Sequence, residues 1–341
     1  MSQFENDLTE GSVFKRLIVF SVPFLLSNIV QSLYNVADML IVGNFSGTAS
    51  MSGVNIGGQI TFILTNFVFG LCTGGTVMIA QYLGSGRREE MRKTIATLLT
   101  SLMVAALVIT GVMLVFKDAV LTLIATPPES YQEASSYLQV TLVGIVFIFG
   151  YNALSAILRG MGDSKRPFYF VLISCVTNIV LDILFVGPMN MGATGAAIAT
   201  VISQGLSMIL CVVYLRKNDF IFDFHLSSFR VDKSTLGKIF RLGFPAAIQN
   251  SVVSISFLFI TTLVNVIGGV AASAAVGVVS KFNGFAIMPA LAMSAAISTM
   301  AAQNIGAGKW DRALQSCKIG MVVAAVISCV IFALAQLFPQ S

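Results

Sequence analysis

Two aspartates lie deep inside long apolar segments of the chain, at positions 38 and 182. Asp38 ends a polar stripe whose members are three or four residues apart and therefore share one face of a helix. The stripe consists of Asn28, Gln31, Asn35 and Asp38. Asp182 lies one helical turn after Asn178, again on a single face. Two helices thus each present a carboxylate and an amide, which could share protons and water inside a bundle.

A carboxylate in hydrocarbon is costly and by default indicates an ion or proton pathway. Low dielectric disfavours the charged form, so the pair predicts binding of H⁺ or Na⁺, and the change in charge can bias two conformations. The alternative is that each aspartate bonds backbone groups in a polar seam and has no role in transport. The sequence shows no P-loop, HExxH, nucleophile elbow or His/Cys cluster. We therefore predict no enzyme activity, no metal site and no cofactor beyond the coupling ion.

Four further residues are candidates for the transport machinery. Lys281 is the basic residue deepest in a predicted span, where it either lines a cavity or extends its side chain to the membrane interface. Gln249 adds a polar group to the predicted cavity. Pro23 and Pro245 lie near the starts of two predicted spans. An interior proline removes a backbone hydrogen bond, so each is predicted to be a hinge or, alternatively, a fixed bend.

The composition indicates the elements that position these groups. Hydrophobic residues make up 56% of the 341 residues and charged residues 10%, with a mean hydropathy of +0.88. This apolar excess is too large for one soluble core and fits a surface that faces lipid. We predict an all-α polytopic membrane protein with about nine transmembrane helices. The predicted spans cover residues 17–42, 52–83, 95–117, 138–158, 169–188, 193–215, 236–264, 270–302 and 319–338.

Positive charges sort into alternate loops, and the loops between them carry almost none. The N-terminal side holds Lys15 and Arg16. The basic loops hold Arg87, Arg88, Arg92 and Lys93; Arg159, Lys165 and Arg166; Arg216, Lys217, Arg230, Lys233, Lys238 and Arg241; and Lys309, Arg312 and Lys318. Cytoplasmic loops retain Lys and Arg, so we predict a multi-pass protein of the cell membrane with a cytoplasmic N-terminus. The net charge of +5 then needs no nucleic-acid partner.

An internal repeat sets the domain organisation. An ungapped offset of 222 residues carries Gln81 onto Gln303 and Pro23 onto Pro245. Parallel repeats of this kind occur in transporters built of two similar halves. We predict a cytoplasmic tail (1–16), a six-helix N-terminal lobe (17–215), a cytoplasmic linker (216–235) and an incomplete three-helix second lobe (236–341). Nothing in the sequence indicates oligomerisation.

Several motifs in order along the chain resemble the multidrug and toxic compound extrusion (MATE) family. They are Pro23 with Ala37-Asp38, Gln81-x-x-Gly84-x-Gly86, Arg159-Gly160-Met161-Gly162-Asp163, Asn178-x-x-x-Asp182, Gly192-Ala193-Thr194-Gly195-Ala196-Ala197, and Gln303-Asn304-Ile305-Gly306-Ala307-Gly308. The resemblance implies two six-helix lobes around a central cavity that opens alternately to each side. It also implies coupling through the residues at Asp38, Asn178 and Asp182, as in the proton-coupled branch of the family.

The resemblance further implies that small organic, often cationic, compounds are exported in exchange for an ion, with H⁺ favoured over Na⁺. Some members use an acid in helix seven, where this chain has Gln249 and no acid. The chain stops about three helices short of the family's twelve, so we expect a C-terminally truncated form. Two alternatives stay open: a non-transporting remnant, and a flippase of lipid-linked sugars, which would need a more basic cavity.

Overall fold

The computed structural model describes residues 4–249 and 284–337, together with the single positions 252, 256, 259, 260 and 263. Within these residues the chain is helical, with turns and one short 3₁₀ segment, Leu226–Ser228, and it contains no strand. The helices are α1 (Val13–Gly84), α2 (Arg88–Leu123), α3 (Pro128–Gly160), α4 (Lys165–Val186), α5 (Gly192–Lys217), α6 (233–249), α7 (Met288–Gly306) and α8 (Trp310–Leu337).

Helix α1 is long enough for two membrane crossings. Its 72 residues would measure about 108 Å if straight, against roughly 30 Å of hydrocarbon. The helical backbone is interrupted at Gly47, with φ 79° and ψ −175°. Glycine tolerates this positive φ because it has no Cβ. We call residues 13–46 α1a and residues 48–84 α1b; the two correspond to the first two predicted spans.

Helix α3 lies at the centre of the main apolar core. Its buried residues, among them Leu138, Leu142 and Ile145, join side chains of α1b, α2 and α5 in one cluster. Many large apolar residues on the outer helices face outward instead, for example Val115 (75% exposed) and Phe332 (66% exposed). A bundle that buries one helix and exposes apolar side chains around its rim is suited to lipid.

The basic loops gather at one end of the bundle, which we call the basic end: the N-terminal residues, the α1–α2, α3–α4 and α7–α8 turns, and the 218–232 linker. The α1–α2 and α7–α8 turns close with the same hydrogen bonds. In the first, the N–H groups of Ser85 and Arg87 bond the carbonyls of Gln81 and Tyr82 at 3.0 and 2.9 Å. In the second, residues 307 and 309 bond residues 303 and 304 at 3.0 and 2.8 Å. The turns thus repeat the 222-residue offset in backbone geometry.

The two copies of the repeat, by which we mean the N-terminal lobe (17–215) and the second lobe (236–341), meet at the basic end through glycines. A Cβ on Gly84 would lie 2.0 Å from the carbonyl oxygen of Gln303, and a Cβ on Gly306 would lie 2.0 Å from that of Gln81. Gly243 of α6 is similarly close to the backbone of Gly70 in α1b. Small residues of this kind let helix backbones approach closely in membranes. The packing between copies is therefore backbone against backbone at this end.

Helix α6 begins with a side-chain cap from the linker. The hydroxyl and the backbone N–H of Thr235 both bond the carboxylate of Asp232, the N–H at 2.7 Å. These bonds stabilise the charged form and hold the pKa of Asp232 below its usual range. A charged N-cap of this type also complements the helix dipole.

The all-helical prediction is confirmed, and seven of the described helices are long and apolar enough to cross a membrane. The predicted total of about nine spans stays a prediction, because the spans 236–264 and 270–302 extend into residues outside the described ranges. Arg159 was predicted in a loop, and that placement is wrong. It lies in the last turn of α3, where its guanidinium stands 5.1 Å from the ring centroid of Phe24.

Candidate functional site

Helices α1a and α4 bring the two buried aspartates together. Asp38 is 6% exposed and Asp182 is 0% exposed. Their carboxyl groups lie within hydrogen-bonding range of each other. Such a bond needs a proton on one of the two groups, because two ionised carboxylates offer only acceptors. Asp38 and Asp182 therefore face each other across the helix pair.

Three side chains, one each from α1a, α4 and α5, complete this cluster. The amide of Asn178 (1% exposed) donates to the hydroxyl of Thr200 at 3.4 Å. The hydroxyl of Tyr34, one turn before Asp38, is within hydrogen-bonding reach of Thr200 as well. Asp38, Asp182, Asn178, Thr200 and Tyr34 form what we call the carboxyl cluster. Tyr137 of α3 lies beside it and interacts electrostatically with both aspartates.

The carboxyl cluster has more acceptors than donors. Both oxygens of Asp182, Oδ1 of Asp38 and Oδ1 of Asn178 are buried and receive no hydrogen bond from the described part of the chain. Buried polar atoms normally have a partner, so each exception needs an explanation. A proton on one carboxyl, or a bound cation, would give part of this group of oxygens the partner that it lacks. No basic side chain within the described residues forms a salt bridge with either aspartate.

A small cavity of about 10 Å³ adjoins the cluster on its basic-end side. Its lining residues are Gln31, Tyr34, Tyr151, Val171, Ser174, Cys175, Asn178 and Gln204. A space of this size holds about one water molecule when polar groups surround it. Water there can accept a proton from the cluster or donate one to it.

The remaining predicted residues lie at different depths. Gln31 and Asn28 are half-buried, and Gln31 lines the small cavity. Asn35 is exposed and lies on the same helix without joining the cluster, so the stripe is only partly directed inward. Gln249 is exposed at the last described position of α6, and Lys281 lies outside the described residues.

The two predicted hinges, Pro23 and Pro245, lie within helical backbone. Helix α1 stays helical through Pro23, with its only non-helical backbone at Gly47. The hydroxyl of Ser27 donates to the Pro23 carbonyl at 2.9 Å. Pro245 is an exposed residue of α6. Their role as hinges stays a prediction.

Sequence reasoning missed Tyr34 and Thr200. Thr200 follows the run of small residues after Gly192, and an isolated threonine in a membrane helix usually bonds its own backbone. The signal for Tyr34 was available, since it lies four residues before Asp38 and therefore on the same helix face. Among the described residues no group of three or more His, Cys, Asp or Glu could hold a metal ion.

Known proteins resemble this chain along nearly its whole length. A model of the MatE family matches residues 23–184 and 245–341. Probable multidrug resistance protein YoeA of Bacillus subtilis is 33% identical over 337 residues, which cover 97% of this chain and 73% of that protein. Probable multidrug resistance protein NorM of Thermotoga maritima is 29% identical over 99% of this chain and 74% of its own length.

Solved structures give the same result for the fold. A multidrug resistance MATE family transporter of the MOP superfamily, in an outward-facing conformation, superimposes with a TM-score of 0.90 at 26% identity. The match covers 97% of this chain and 73% of that structure. A MATE structure in complex with MaD5 gives a TM-score of 0.92 at 25% identity, covering 99% of this chain and 77% of the other.

Proposed function

Because the chain belongs to the MATE family of multidrug efflux transporters, we propose that it exports organic, often cationic, compounds across a membrane in exchange for an ion. The carboxyl cluster is the proposed coupling site, and the lobes alternately open to the two sides of the membrane. The relatives named multidrug resistance proteins support the substrate class.

One observation carries the coupling proposal: Asp38 and Asp182 are buried within reach of each other and share no basic partner in the described structure. Two like charges at this separation repel in a low dielectric, so one bound cation greatly stabilises the pair. A single proton meets this need and also supplies the missing donor between the two carboxyls. This favours H⁺ over Na⁺ as the coupling ion.

Proton binding can change the contact between α1a and α4. With one proton bound, the two carboxyls attract through a hydrogen bond; after its loss they repel each other. Loss of the proton therefore favours an arrangement of α1a in which the two carboxyls are farther apart. Asn178, Thr200 and Tyr34 lie beside the carboxyls and bond one another, with Thr200 as the shared partner.

We also propose that the basic end faces the cytoplasm and that the protein resides in the cell membrane. The basic end carries the Lys and Arg residues of the α1–α2, α3–α4 and α7–α8 turns. Cytoplasmic loops retain such residues during insertion. The N-terminal residues lie at this same end.

Transport of a fluorescent organic cation into proteoliposomes, driven in turn by a proton gradient and by a sodium gradient, tests the proposal. We expect uptake with the proton gradient alone, and its loss in Asp38→Asn. The matched control is Asp118→Asn, which changes an exposed carboxylate that accepts a hydrogen bond from the Tyr131 hydroxyl. Undiminished proton-driven uptake by Asp38→Asn would refute the coupling role, and uptake driven by sodium alone would replace H⁺ with Na⁺.

A further inference from the structure

The N-terminal residues 4–12, which we call the strap, run across the basic end and contact both copies of the repeat. The first part of the strap is held by the first copy and by the linker. Phe4 is fully buried, with its ring 5.4 Å from that of Phe220 and the guanidinium of Arg166 at 4.8 Å from its centroid. Glu5 forms an ion pair with Arg88 at 2.8 Å. The N–H of Asn6 donates to the carbonyl of Met161 at 2.9 Å.

The next part of the strap is held by the second copy. The N–H of Leu8 donates to Oε1 of Gln303 at 3.0 Å, and the carbonyl of Leu8 accepts from Nδ2 of Asn304 at 3.3 Å. The ammonium group of Lys309 donates to both the carbonyl and the hydroxyl of Thr9 at 3.1 Å. The strap backbone is therefore bound by side chains of the α7–α8 turn.

Gln303 links three parts of the molecule. Its side chain holds Leu8 through Oε1 and reaches the carbonyl of Asn6 through Nε2 at 3.4 Å. Its backbone carbonyl is the atom against which Gly84 of the first copy packs. Gly162 permits this convergence, because a Cβ there would lie 2.5 Å from the Asn6 carbonyl oxygen. Gln303 itself is only 1% exposed.

The geometry limits how far the two copies can separate while the strap stays bound. Asn6 is bonded to the first copy and Leu8 to the second, and two residues span at most about 7 Å. Opening the basic end by more than this must break the bond to Met161 or the bonds to Gln303 and Asn304. The strap is thus a short tether across the contact between copies.

We propose that the strap holds the basic ends of the two lobes together, and that Gln303 and Asn304 are the positioning residues that bind it. The proposal rests on the proposed function for one point, that the lobes separate at this end during the transport cycle. Release of the strap from the second copy is then a required step of each cycle. Its bonds set how readily the basic end opens.

The test measures the separation of the lobes without any transport. Spin labels are attached at Glu89→Cys and Asp311→Cys, two exposed positions related by the repeat, after the five native cysteines are replaced by alanine. We expect one short distance in the parent protein. Gln303→Ala leaves the N–H of Leu8 without its acceptor, so we expect the population with separated labels to rise on the order of tenfold.

The matched control is Gln81→Ala, which removes the equivalent glutamine of the first copy, a side chain that makes no described contact with the strap. We expect its distances to equal those of the parent. Equal distance distributions in Gln303→Ala, Gln81→Ala and the parent would overturn the proposal. A failed dye assay with a shifted Gln303→Ala distribution would reject the proposed export and leave the strap's role intact.

A second measurement needs no variant. In the unaltered protein the amides of Asn6 and Leu8 are both hydrogen-bonded, so hydrogen exchange in a peptide covering residues 4–12 should be slow. Exchange of this peptide at the rate of an unstructured chain would overturn the proposal even if Gln303→Ala fails to fold.

Discussion

The two copies of the repeat are alike in backbone and different in their polar side chains at the basic end. Both turns place a glycine at positive φ, 70° at Gly86 and 73° at Gly308, and both contact the other copy through the preceding glycine. Yet Gln303 and Asn304 are buried and bind the strap, while Gln81 and Tyr82 are half-exposed. The two copies therefore share their backbone contacts but differ in what their polar side chains bind.

The same division appears deeper in the helices. The repeat offset carries Asp38 of the first copy onto Ile260 of the second, an apolar residue that is 53% exposed. The first copy therefore holds the carboxyl cluster, and the second binds the part of the strap at Leu8 and Thr9. Similar backbones can thus carry an ion site in one copy and a conformational restraint in the other, so that each can change without altering the other.

Substitution of the contact glycines is expected to have the largest effect on the packing that the two copies share. A Cβ at Gly84 or Gly306 would overlap a backbone carbonyl at 2.0 Å, which no side-chain rotation can relieve. We expect Gly84→Ala and Gly306→Ala each to lower the free energy of unfolding by about 3 kcal/mol. Thermal unfolding in detergent, with scans compared between the two variants, measures this.

The glycines two residues later provide the control for those variants. A Cβ added at Gly86 or Gly308 would meet nothing within 4 Å, so these positions require glycine only for their positive φ. We expect Gly86→Ala and Gly308→Ala to cost about 1 kcal/mol each. A large effect at Gly84 with none at Gly306 would show that the backbone contact is not symmetric after all.

A substitution in the carboxyl cluster is expected to change the free energy of unfolding by less, and to raise it. Both oxygens of Asp182 are buried without a donor, so Asp182→Asn replaces an acceptor with an amide that can donate to Asp38. We expect the free energy of unfolding to rise by about 1–2 kcal/mol while proton-driven export is lost. The control Asp118→Asn, at an exposed site, should stay within roughly 0.5 kcal/mol of the parent. A lower free energy of unfolding for Asp182→Asn than for the parent would contradict the conclusion that the carboxyl cluster has more acceptors than donors.

Much of the helical framework and the facing pair of aspartates could be predicted from the sequence. Hydropathy locates apolar spans, and a spacing of three or four residues locates a polar face, so Asp38 and Asp182 stood out against their surroundings. Thr200 could not be found this way, because a threonine costs little in an apolar helix and signals nothing until its partner is known.

The strap could not be predicted from the sequence, for a different reason. Its bond from Leu8 to Gln303 joins residues 295 positions apart, and no local pattern encodes where a polar tail will run. The repeat gives no sign of this difference, because it makes Gln81 and Gln303 equivalent positions. The strap breaks that equivalence at the basic end, while the linker that joins the two copies bonds α2, where the hydroxyl of Thr97 accepts from the N–H of Asp232.

The helix starts of the two copies offer the finest comparison. Helix α1 is capped by the uncharged Ser12, whose hydroxyl accepts from the N–H of Lys15 at 3.4 Å, whereas α6 is capped by the carboxylate of Asp232. The hydrogen bonds from Thr235 hold the pKa of Asp232 below its ordinary 3.8, so the stabilising effect of the charged cap is complete above that value and is lost as the pH falls through the lowered pKa.

We expect Asp232→Ala to reduce the melting temperature by roughly 1–3 °C at pH 7, and the difference from the parent to shrink below pH 3.8. Ser12→Ala should give a difference that does not change over the same pH range. A pH-independent effect of Asp232→Ala would mean that its cap, like that of the first copy, does not depend on charge.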